Sequence, residues 1–192
     1  MANLNDSFTW LASPTLGAWN INVVTEGMPQ KVATAFSEAT STLLGAEYTP
    51  IAYLGSQMAN GINHAVVAEQ TIISGKDHKN IVLMKFNENG MECHLFAIEP
   101  LVQEGGEFGG YVVNAKLSKD IDSEAIASFN AVMDGFVGSK VELVAQLATK
   151  VVKGINYVFL ATVTGVYPDA KQQVKMVTVN SLMNHVDFAD VL

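Results

Sequence analysis

The sequence predicts an α+β protein made of two tandem repeats, each with one helix packed on a four- to five-stranded antiparallel sheet. Three observations carry that reading. First, residues 44–63 and 137–156 are one segment written twice. They align without a gap at an offset of 93, and six of the twenty positions are identical: Gly45/Gly138, Ala52/Ala145, Leu54/Leu147, Gly61/Gly154, Ile62/Ile155 and Asn63/Asn156. Phe36/Phe129, Ala68/Ala161 and Thr71/Thr164 keep the same offset. Such a period is too long for a solenoid and is the size of a small domain. Second, each copy contains one run with the apolar spacing of a helix. Third, each run is followed by several strand-forming stretches broken by turn residues, the pattern of a meander.

The elements follow in order. Trp19 to Val24 alternates briefly and reads as a short strand. Gly27 and Pro29 break it, and Pro29 suits the first turn of a helix. Val32, Phe36, Ala39 and Leu43 then form one apolar stripe of a helix reaching about Leu44, with Gly45 as its stop. Residues 47–58 and 62–73 are rich in β-branched and aromatic residues. Asn60-Gly61 between them is a hairpin signal, because both residues tolerate the positive φ of a type I′ turn. Ile81 to Phe86 is a third strand, Asn87 to Gly90 a turn, and Met91 to Ile98 the return. The second copy repeats the plan. Tyr111 to Val113 is a strand, and Asp120 to Asp122 open a helix with the stripe Ala125, Phe129, Val132 and Phe136, closed by Gly138. Acidic residues at its start suit the helix dipole. Strands follow at about 141–152, 155–165, 172–180 and 185–191. The expected organisation is an arm over 1–16, a first repeat over 17–99, a linker over 100–109 where Gly and Glu concentrate, and a second repeat over 110–192.

Composition narrows the function classes. Apolar residues make up 49% and charged residues 16%, which provides for a core and excludes general disorder. The net charge of −8, from 19 acidic against 11 basic residues, leaves no electrostatic footprint for nucleic acid or an anionic membrane. No apolar run is long enough to span a bilayer. The first ten residues have neither a basic nor an apolar segment of a secretory signal. The single cysteine, Cys93, has no internal disulfide partner. The expectation from these features is a reducing, cytoplasmic setting.

Two segments carry a motif. Leu54-Gly-Ser-Gln-Met-Ala-Asn-Gly-Ile-Asn-His and Leu147-Ala-Thr-Lys-Val-Val-Lys-Gly-Ile-Asn-Tyr resemble the signature of the cystatins, Gln-x-Val-x-Gly followed by x-Asn-Tyr. The order of strand, helix, long hairpin and second hairpin is also that of the cystatins, and the resemblance covers about 17–99 and 110–191. It implies two cystatin-like repeats and a reversible inhibitor or regulator of papain-like cysteine proteases that plugs the cleft with three segments. The first hairpins would be Gln57, Met58, Ala59, Asn60 and Gly61, and in the second copy Lys150, Val151, Val152, Lys153 and Gly154. The trunk glycines would be Gly17 and Gly109 or Gly110, and the second hairpins Asn87 to Gly90 and Asn180 to Asn184. Ala59 replaces the valine in one copy and Lys150 the glutamine in the other. Neither second hairpin has the frequent Pro-Trp, since the tryptophans are Trp10 and Trp19.

The alternative is a non-inhibitory module of the same kind that binds a different protein partner. Val151 and Val152 offer more apolar area at a hairpin tip than Ala59. Lys150 and Lys153 beside them suit an acidic partner groove or serve as solvated charges that discourage edge pairing. Long hairpins also allow an element to be exchanged between chains, giving a homo-oligomer, or the copies to satisfy each other within one chain. No enzyme motif emerges. Cys93 and His94 are adjacent on a strand and point to opposite faces, and His64 shows no orienting carboxylate in the sequence. His64, His78, His94 and His185 lack metal-ligand spacing. The glycines at 105–110 precede a strand, not the helix a phosphate loop needs. Neither a cofactor nor a metal is expected. The helix stripes hold no polar residue for a small-molecule pocket.

Overall fold

The computed structural model describes residues 17–73, 78–105 and 109–192. The expected arm 1–16, with Trp10, and residues 106–108 of the expected linker lie outside the described residues. The chain runs β1 (Trp19–Val24), α1 (Gln30–Ser41), β2 (Ala46–Ala59), β3 (Gly61–Ile72), β4 (His78–Asn89), β5 (Glu92–Gln103), β6 (Val112–Leu117), a 3-10 turn (Ser118–Asp120), α2 (Ser123–Met133), β7 (Ser139–Val152), β8 (Gly154–Gly165), β9 (Gln173–Asn180) and β10 (Val186–Asp190). Strands β1 to β5 form one antiparallel sheet in sequence order and β6 to β10 a second. The β2–β3 and β7–β8 hairpins have equivalent ends: Ala59 pairs with Gly61 and Val152 with Gly154.

Four layers result, and side-chain alternation shows why. In β3, Ala65 and Val67 point to one face while Val66 and Ala68 point to the other. The first set meets Leu147, Val158 and Leu160 of the second sheet in a central layer. The second set lies under α1 with Val32, Phe36, Tyr53 and Phe86. In β8 the same split sends Val158 and Leu160 inward and Tyr157, Phe159 and Ala161 towards Ala125 and Phe129 of α2. Each helix is pinned by an aromatic pair, Phe36 on Phe86 at 6.2 Å and Phe129 on Phe159 at 5.7 Å, both edge-to-face.

The fold class expected from sequence is overturned. Of the described residues 59% are strand and 15% helix, in two five-stranded antiparallel sheets and two α-helices with a 3-10 turn, and not two cystatin-like units of one helix on a sheet. A 3-10 turn precedes α2, so a single helix per repeat is not what the chain builds. The physical reason lies in the strands. Ile51 to Gly55 in β2 and Val144 to Ala148 in β7 are buried without a break, as are the centres of β3, β4 and β8. Such runs require cover on both faces. A helix covers one face only, so each sheet needs the other.

The helix limits also differ. α1 stops at Ser41, where the hydroxyls of Thr40 and Ser41 turn back to the carbonyls of Phe36 and Glu38, and Leu44 is left in solvent. Asp120 falls in the 3-10 turn, and Phe136 lies beyond α2, stacked on Phe188 at 5.6 Å. No helix among the described residues is long and apolar enough to cross a membrane.

Candidate functional site: two hairpin edges

At each end of the molecule three segments meet. At the first edge, the start of β1 lies beside the end of β2, and the Gln57 amide donates to the Gly17 carbonyl at 2.9 Å. Gln57 Oε1 accepts from Asn63 at 2.8 Å. Both ends of the Gln57 amide are therefore engaged within the molecule. Asn63 accepts from Asn87 Nδ2 at 2.7 Å, and the same Nδ2 group donates to the Asn60 carbonyl at 3.1 Å. This clamp ties the β2–β3 turn to β4. Met58, Ile62 and Met91 are exposed around it.

The second edge repeats the clamp atom for atom. Asn180 Nδ2 donates to Asn156 Oδ1 at 2.7 Å and to the Lys153 carbonyl at 3.2 Å. Asn180 Oδ1 accepts from the amides of Leu182 and Met183, both at 2.9 Å, which shapes the β9–β10 turn. Lys150 Nζ sits 5.2 Å from the centre of the Tyr111 ring, one residue after Gly110. Gly110 itself packs against Gly105, and Gly109 turns the chain with positive φ. The outer end of this edge carries Val151, Val152, Leu182 and Met183, with Val151 73% and Leu182 71% exposed.

The turn at Asn60-Gly61 is not the expected type I′. Among the described non-glycine residues only Asp169 has positive φ, so Asn60 does not enter the left-handed region. Gly61 alone supplies it, at φ 92°, and a side chain there would strike the Glu88 carbonyl. Gly154 at φ 89° abuts the side chains of Ser181 and Leu182 instead.

The edges do not form one surface. Glu104, just after β5, bridges Tyr111 beside the second edge. Glu104 also contacts Asn80, whose partner Gln70 stands ten residues of β3 from Asn60, roughly 33 Å. The groove beside β1 brings Ile21 and Val23 against Glu142, Leu143 and Val144, at the far end of β7 from its turn. The two sheets thus run in opposite senses, and the two turns lie at opposite ends.

One polar chain was not read from the sequence. His64 is buried, with Nδ1 3.3 Å from the Tyr53 hydroxyl and Nε2 3.2 Å from Glu88 Oε2. Glu88 is the orienting carboxylate that the sequence did not reveal. Burial lowers the His64 pKa, and Glu88 opposes this by hydrogen bond and charge. The signal was a two-residue step: His64 pairs with Phe86, so Glu88 lies next along the same face. At the equivalent positions the second half has Gln146, Tyr157 and Ser181.

Cys93 pairs with Glu88 across β4 and β5, and its thiol donates to the Ala35 carbonyl at 3.1 Å. Burial pushes the thiol pKa up, and the carboxylates of Glu38 and Glu88 push it the same way. A thiol so placed is a poor nucleophile. His94 and His185 are exposed and lie near Glu92 and Asp187. No group of three or more His, Cys, Asp or Glu among the described residues could hold a metal ion. No protein-family model matches the chain, and neither does any curated protein.

Proposed function

We propose that this chain is a non-catalytic protein-binding module whose contact is the second edge. The observation that carries this reading is the gathering of Val151, Val152, Leu182 and Met183 at the outer end of a hairpin pair clamped from within by Asn180. Apolar groups already fixed in place can bury area against a partner with little loss of loop entropy. Lys150 and Lys153 favour a partner surface of negative charge. A photo-cross-linking residue in place of Val151 should capture a partner that the same residue in place of Val166, equally exposed but in the loop after β8, does not. Equal capture at both positions would sink the reading.

A second reading narrows the partner to a papain-like cysteine protease, inhibited reversibly by occlusion of its cleft. Two features favour it: the resemblance of both turns to the cystatin signature, and the adjacency at the second edge of Gly110-Tyr111, Lys150 to Gly154, and Asn180 to Asn184. Such a plug buries roughly 800 Å² per partner and involves no covalent step, so Cys93 is dispensable. Titration of papain with the intact chain tests it. Inhibition should weaken at least tenfold in Val151→Asp, whose exposed site tolerates charge. Papain fully active at about micromolar inhibitor, a concentration equivalent to roughly 8 kcal/mol of binding, would remove papain as the target.

A further inference from the structure

We infer that the two edges bind each other head-to-tail, so that the first edge of a second copy of this chain occupies the second edge. This goes beyond the binding of a foreign partner and stands whether or not one exists. The two edges are versions of one surface, each built round the same asparagine clamp and each capped by exposed apolar side chains. At aligned positions their charge has separated. Gln57 and Asn60 of the first edge correspond to Lys150 and Lys153 of the second and Glu88 to Ser181, whereas Glu92 lies in a β4–β5 turn two residues longer than the β9–β10 turn, which holds no carboxylate. The first edge therefore offers the exposed carboxylate of Glu92, with Glu88 behind it turned to His64, beside Met58, Ile62 and Met91. The second offers lysines beside Val151, Val152, Leu182 and Met183. Charge complementarity with an apolar centre selects the unlike pairing, because two first edges or two second edges would set like charges together.

The opposite placement of the edges decides what such a contact builds. A bound pair leaves one edge of each kind free, at opposite ends, so the contact is heterologous and propagates as an open chain. The area at a hairpin edge is small, in the class below about 1,200 Å² of transient contacts, so assembly should be weak and depend on concentration.

Sedimentation velocity on the intact chain tests this, over a protein concentration range of roughly a hundredfold and at low and high salt. A weight-average mass that climbs past the dimer with concentration and falls at high salt is expected. Lys150→Glu/Lys153→Glu makes both edges acidic, and Asn89→Lys/Glu92→Lys makes both basic; Asn89, Glu92 and Lys153 are exposed and Lys150 half-buried, all at or near the ends of strands. Each variant alone should lose association at least tenfold, and an equimolar mixture should regain it, with circular dichroism showing both folded. A monomer throughout, a species that stops at the dimer, single variants that assemble like the parent, or a mixture that does not assemble would each overturn the inference. Because only this chain is present, failure here leaves the cross-linking test of a foreign partner untouched.

Discussion

His64 is where a change of pH reaches the interior. The ring is 5% exposed and lies between Tyr53 and Glu88. Its folded pKa is held below the ordinary value, first by burial. At neutral pH the ring is neutral in both folded and unfolded chains. As pH falls below about 6.5, the unfolded chain takes up a proton that the folded chain resists, and stability declines until the folded pKa is passed. The melting temperature should therefore fall between about pH 7 and pH 5, while His64→Gln, which keeps an uncharged polar group there, flattens that part of the profile. Parallel profiles for the two proteins would refute this assignment. Cys93 gives a second residue-scale test. With its thiol pKa raised, alkylation at neutral pH should run at least several-fold slower than for an unstructured cysteine peptide. Neither contact was legible in the sequence, because Glu88 meets His64, and Ala35 meets Cys93, only through strand register and helix docking.

At the scale of the element, the asparagine clamps decide how firmly the turns are held. Asn87 and Asn180 each donate to a turn carbonyl and to a second asparagine. Removing either side chain leaves two acceptors unpaired, and Asn180→Ala also releases the amides of Leu182 and Met183. Each substitution to Ala should cost about 1–3 kcal/mol, with faster amide exchange confined to the nearby turns, and Asn180→Ala should cost more. Equal exchange in parent and variant would show that the clamps do not hold the turns. Here the sequence was partly legible. Asn63/Asn156 stood among the identities of the repeat and Asn87 and Asn180 were placed in the second hairpins, but only as turn residues. Composition carries no information on which strand an asparagine will reach. The type I′ expectation failed for a related reason: the turn docks on β4, and that long-range contact, rather than local preference, sets the conformation of Asn60.

For the whole molecule the central layer matters most. Leu54, Val67 and Leu83 of one half and Leu147, Val158 and Leu160 of the other share it, and at most 2% of any of them is exposed. Leu147→Ala should cost about 2–5 kcal/mol and shift one cooperative transition of the entire chain. Residues 17–105 produced alone should show no cooperative melt and should regain one when mixed with 109–192. Two independent transitions in the parent, or a first half that melts cooperatively alone, would sink the shared interior. The sequence showed the duplication, the turns and most strand positions. It did not show the layering, because a short apolar run reads alike whether the second face meets a helix, another sheet or a partner. The signal was present in the unbroken runs around Val66 and Phe159, which are too apolar for strands with one face in water.

That shared interior has a consequence for synthesis on the ribosome. The first sheet can pair all its strands once β5 has emerged, yet its inner face stays uncovered until β7 and β8 follow. At about 5–20 residues per second, the intervening stretch of some sixty residues takes roughly 3–12 seconds, far longer than hydrophobic collapse. During that interval Leu54, Val67 and Leu83 present an apolar sheet to solvent or to a neighbouring nascent chain. On a crowded polysome, two unfinished first halves can pair through these faces before either second half arrives. Translation rate over the second half, and chaperone access during it, therefore bear on yield as directly as the stability of the finished fold.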